Sequence, residues 1–93
     1  MDMNKYICRN VKVTWHNLED ECILLNLSTG DYFTLNNVGR FIWELLEEKT
    51  QITDICRAII DKYDIDEDTA RRDTLEIVRE LIGEGLVEQA DAP

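Results

Sequence analysis

At Asn36-Asn37 the apolar residues of this chain change their spacing, and that change limits what can form on either side of it. Before it, apolar residues recur at every second position, the repeat of a strand whose faces alternate. After it they recur every three to four positions, the repeat of a helix with one apolar stripe. Strands gathered in the first half of 93 residues and helices in the second specify an α+β arrangement, not an interleaved parallel sheet.

In the first half, Val11, Val13 and Trp15 alternate with Lys12 and Thr14, so Val11–Trp15 reads as a half-buried strand and His16–Asp20 as a turn. Glu21–Leu27 places Ile23, Leu25 and Leu27 on one apolar face. It ends at Ser28-Thr29-Gly30-Asp31, a hairpin in which Gly30 takes positive φ. A third strand, Tyr32–Leu35, turns Phe33 and Leu35 inward and leaves Tyr32 and Thr34 outward.

In the second half, Asn36 or Asn37 caps a helix whose stripe is Val38, Phe41, Ile42, Leu45 and Leu46 and which runs through Glu48. Thr50 or Thr53 caps a second helix, with Ile52, Ile55, Cys56, Ile59, Ile60 and Tyr63 at helical spacing before a turn at Asp64-Ile65. Asp66 caps a third, about Glu67 to Gly83, and Gly85 sits where a left-handed residue ends a helix. Leu86-Val87-Glu88 forms a short strand or covers the core, while the first few residues and Gln89–Pro93 are expected to fray. The expected fold is α+β and winged-helix-like, a three-stranded antiparallel sheet followed by three helices. It forms one domain, 1–93, with its core at about 11–88.

Chemistry is scarce. His16 is the only imidazole and falls in the expected turn, and Cys8, Cys22 and Cys56 are widely spaced with no CxxC pair, which leaves neither a zinc site nor a disulfide framework legible. Asp64-Ile65-Asp66-Glu67-Asp68 lacks the Gly and bidentate Glu of a calcium loop, and helix capping explains it. Gly30 and Gly39 lack the spacing and the Lys of a phosphate loop. No catalytic residue, metal or cofactor is expected, and the chain is not expected to be an enzyme. No apolar run reaches the length of a membrane span and the N-terminus has no signal-peptide core, so a cytoplasmic protein without membrane attachment is expected.

Function is therefore sought in surfaces. An edge strand presents unpaired N–H and C=O groups to which a peptide strand can add, and Tyr32, Phe33, Thr34 and Leu35 are the candidates. On the third helix, Ala70, Thr74, Ile77 and Leu81 make the core stripe. Arg71, Leu75, Val78 and Ile82 lie to one side of it by roughly 60 to 120° at about 100° per residue, whereas Asp73, Glu80 and Glu84 lie on the other. The apolar shoulder is expected to form a groove with the third strand and accept a partner's apolar side chain.

Leu25, Thr29, Gly30, Tyr32, Phe33, Leu35, Asn36, Gly39, Ile42 and Trp43, followed by Tyr63-Asp64, Asp73, Leu81 and Gly85-Leu86-Val87, together resemble the PqqD family of pyrroloquinoline quinone biosynthesis proteins and the related precursor-peptide recognition elements. The resemblance spans about Val11 to Glu88; Thr74 departs from it, standing where an apolar residue is commoner. It implies a non-catalytic peptide chaperone. Such a domain binds the leader of a ribosomally made precursor as an added strand beside the third strand and against the third helix. It then presents the precursor to a modifying enzyme, often a radical S-adenosylmethionine protein.

The alternative is a winged-helix nucleic-acid-binding or transcription-regulatory protein, with Arg57, Arg71, Arg72 and Arg79 as its phosphate contacts. Twenty acidic residues against ten basic give a net charge of −10, which opposes phosphate binding and suits a partner with basic residues. Random duplex DNA at ~150 mM salt is expected to give no shifted band in a gel. A sub-micromolar, salt-sensitive complex would reinstate the alternative.

Overall fold

The computed structural model describes residues 2–91. The elements are β1 (Tyr6–Arg9), β2 (Val13–Leu18), β3 (Glu21–Asn26), β4 (Tyr32–Leu35), α1 (Asn37–Leu45), β5 (Thr50–Gln51), α2 (Ile52–Tyr63), α3 (Glu67–Gly83) and β6 (Val87–Ala90). The expected antiparallel meander is present as β2-β3-β4, and the three helices follow it.

A second antiparallel sheet, β5-β1-β6, was not anticipated. Residues expected to fray supply its central strand: Tyr6–Arg9 pairs with Thr50–Gln51 on one side and with Val87–Ala90 on the other. Gln89 and Ala90, also expected to fray, belong to that ladder; the last residues, 92–93, lie outside the described part. A four-residue strand carries too little periodicity to be recognised when both partners lie far along the chain.

The meander also departs from its expected faces. Strand β2 continues through His16, Asn17 and Leu18, which pair with Ile23, Cys22 and Glu21, so the turn shrinks to Glu19-Asp20. Val13 is buried, but Val11 precedes the strand and is 92% exposed. In β3 the core side is Cys22, Leu24 and Asn26, whereas Ile23 and Leu25 are half-buried on the outer face and Leu27 is 58% exposed. Both faces of Glu21–Leu27 carry apolar residues, so alternation alone does not say which points inward. In β4, Phe33 and Leu35 turn inward and Tyr32 and Thr34 outward, as expected.

Asn36 caps α1, its side chain accepting the Gly39 N–H at 3.0 Å. A Cβ on Gly39 would stand 3.3 Å from Leu35, so glycine lets the first turn of α1 lie close against the end of β4. The helix ends at Leu45, short of Glu48, and neither Thr50 nor Thr53 caps α2. Thr50 donates its hydroxyl to the Leu45 and Glu48 carbonyls and Thr53 to Met3, leaving Gln51 at the cap position without a side-chain bond. Asp66 does cap α3, accepting the Thr69 N–H and hydroxyl, and these bonds hold its carboxyl below the usual range. Gly85, at φ 73°, turns the chain so that Leu86 enters the core.

The core lies between the two sheets and the helices, with Trp43, Ile7, Leu24, Ile42, Ile55 and Leu86 among its fully buried side chains. The buried stripe of α3 is Ala70, Thr74, Val78 and Leu81, with Ile77 only half-buried. Thr74 is wholly inaccessible, and its hydroxyl has no hydrogen bond of ordinary geometry, lying beside the Cys56 thiol, whose upward shift it opposes.

Asn36→Ala should lower unfolding free energy in urea by about 1 kcal/mol through loss of the α1 cap. Thr74→Val keeps the side-chain shape and removes the orphan hydroxyl, so it should raise stability by about 1 kcal/mol. A destabilised Thr74→Val protein would show that the hydroxyl is satisfied in solution.

Candidate functional site

β4 pairs with β3 on one side only, which leaves it at the edge of its sheet. The Asn26 N–H donates to the Asp31 carbonyl, so residue 31 aims its backbone groups at β3. Alternation along an antiparallel strand then directs those of Phe33 and Leu35 inward and those of Tyr32 and Thr34 toward the open edge. A short row of backbone donors and acceptors is thus left without a ladder partner, in a form that only another extended chain matches.

The side chains beside that edge form a groove of about 380 Å³. One wall is Phe33, Thr34 and Leu35, the other is Glu80, Leu81 and Glu84 of α3, and Leu86 completes it. Leu81 and Leu86 are almost wholly buried and form the floor, while Phe33 and Leu35 are half-buried and keep apolar surface open to the groove. The groove can therefore take an apolar side chain below the strand edge and a polar one at the carboxylates.

The expected strand residues, Tyr32 to Leu35, meet at this site, but α3 presents the opposite shoulder from the one expected. Val78 is fully buried and belongs to the core stripe. Arg71 borders a different depression, of about 500 Å³, with Met3, Cys56, Arg57, Ile60 and Glu67. Leu75 and Ile82 are half-buried against the core, and at about 100° per residue they share the Arg71 side of the helix, away from Glu80 and Glu84. Leu81, Leu86 and the two carboxylates are the groove residues that the sequence reading missed. The width of the apolar arc was legible. Which flank faces the sheet and which faces α2 depends on the packing of α3, and no residue on the helix itself encodes that.

Among the described residues no group of His, Cys, Asp and Glu is placed to hold a metal ion, and no helix is long and apolar enough to cross a membrane. Burial pushes the Cys22 and Cys56 thiols above their ordinary pKa, the reverse of what a nucleophilic thiol requires.

Two solved structures share this architecture. TbiB1, solved in complex with the TbiA(beta) leader peptide, is similar with a TM-score of 0.82 and 36% identity, over 91% of this chain and 99% of that one. Lasso peptide synthetase B1, complexed with the leader peptide, has a TM-score of 0.78 over 88% of this chain and 96% of its own, and at 20% identity the likeness concerns the fold alone. The model of the family described as coenzyme PQQ synthesis protein D (PqqD) matches residues 21–87, and the chain belongs to that family. No curated protein matches it.

Proposed function

We propose that this chain is a non-catalytic recognition domain, cytoplasmic, that binds the leader of a ribosomally synthesised precursor peptide and presents the precursor to a modifying enzyme such as a radical S-adenosylmethionine protein. The observation that carries the reading is the unpaired edge of β4 above an apolar groove: backbone pairing supplies register, and the groove supplies choice of side chain. The likeness to TbiB1, a protein solved with a leader peptide, supports it. The leader lies along Tyr32–Leu35 and places one apolar side chain among Phe33, Leu35, Leu81 and Leu86. The helix wall is the Glu80 and Glu84 flank, not the Arg71, Leu75, Val78 and Ile82 flank.

Thr34→Pro tests this at one atom. The Thr34 N–H points away from β3, so proline breaks no bond of the meander but removes a donor that an added strand needs. In calorimetric titrations with the TbiA(beta) leader peptide, the variant should bind at least about tenfold more weakly, a loss of ~1.4 kcal/mol. Arg71→Ala should bind as wild type, and circular dichroism should show both variants folded. A folded Thr34→Pro protein with undiminished affinity would place the peptide elsewhere.

A further inference from the structure

Glu80 and Glu84 are badly placed for the free protein. They stand one helical turn apart, a like-charge i, i+4 pair, in the last turn and at the C-cap of α3, where the helix dipole also disfavours negative charge and no basic residue offsets it. Elsewhere on the helices Glu44 pairs with Arg40, Asp54 with Arg57, Glu67 with Arg71 and Asp73 with Arg72, whereas among the described residues the exposed Asp61, Asp68 and Glu76 have no ion pair but do not line the groove. Among the described residues neither Glu80 nor Glu84 has an ion-pair partner, and both border the groove beside β4. Two unfavourable charges therefore sit at the rim of an apolar slot, where a bound chain would bring its own side chains.

We propose that the peptide recognised at this groove carries a Lys or Arg next to its buried apolar residue, and that Glu80 and Glu84 select it by pairing with that cation. The inference rests on the groove reading above and adds the charge class of the ligand. A guanidinium or ammonium held between the two carboxylates cancels their repulsion and the dipole term together, so binding removes a cost that the free domain carries. The groove floor contributes apolar contact to any peptide of suitable shape. The carboxylates discriminate among such peptides, since an acidic residue at that position would meet two like charges.

A random-sequence peptide library, selected in parallel on the wild-type protein and on E80Q/E84Q, tests it. Amide chemical shifts of Tyr32–Leu35 report whether each selected peptide lies at β4. Wild-type selections should be enriched in Lys or Arg within two positions of an apolar residue, and selections on E80Q/E84Q should keep the apolar residue and lose the basic one. A synthetic wild-type binder should lose about fivefold in affinity on E80Q/E84Q. It should lose as much on wild type when its own basic residue becomes Gln, with no further loss when both changes are combined. The single variant E80Q, which keeps one carboxylate, should lie between, and circular dichroism confirms that each variant is folded. Peptides that shift the β4 amides without basic enrichment, and that bind both proteins equally, would overturn the charge inference and leave the groove reading standing. Absence of any peptide that shifts the β4 amides would overturn the groove reading, and the charge inference with it.

Discussion

The Arg9 guanidinium holds together two sheets that share no hydrogen-bonded ladder. It lies 4.3 Å from the Trp15 ring centroid and 4.7 Å from that of Trp43, and it donates from Nε and Nη2 to the Trp43 carbonyl. The two indoles meet edge to face at 5.7 Å. One side chain of β1 thereby touches β2 of the other sheet and α1 behind it. Burial pulls the guanidinium below its ordinary pKa, with Glu47 and Glu44 opposing that shift, yet arginine remains charged at any physiological pH. The aromatic faces and the carbonyl supply the compensation that a half-buried cation requires.

From that clamp the geometry of the groove follows. Trp43 is fixed on α1, α1 begins at the Asn36 cap immediately after β4, and Gly39 lets that first turn lie against Leu35. On the other side, Asn10 follows Arg9 and binds the Gly85 and Leu86 carbonyls through its side chain and its N–H, which ties the end of α3 to the same framework. The two walls of the groove, β4 and the last turns of α3, are thus positioned from one point in the chain. The slot between them therefore has a set width, with less left to order than at a mobile loop.

Features with a local cause were legible in the sequence. The period change at Asn36, the hairpin glycine at 30, the Asp66 cap and the positive φ of Gly85 each depend on a few neighbouring residues, and each stands where the pattern placed it. The features that escaped depend on distant partners. Tyr6–Arg9 has meaning only beside Thr50–Gln51 and Val87–Ala90, and the inward face of β3 is decided by what packs beneath it. The same holds for the site. The strand edge could be read from Tyr32–Leu35, because a meander must have edges. The helix flank could not, because Val78 and Ile77 compete for one stripe and the packing against α2 settles which is buried.

The register of β1 against β6 sets Tyr6 opposite Ala90 and Arg9 opposite Val87, joining nearly the first described residues to nearly the last. This is a closure of very high contact order. During synthesis β1 is made before the other described elements but lacks its longer partner until β6 has emerged, whereas the β2-β3-β4 meander has all of its strands early. All strands of the β4 sheet are thus made before β6, whose pairing with β1 closes the second sheet and brings Val87 into the core last.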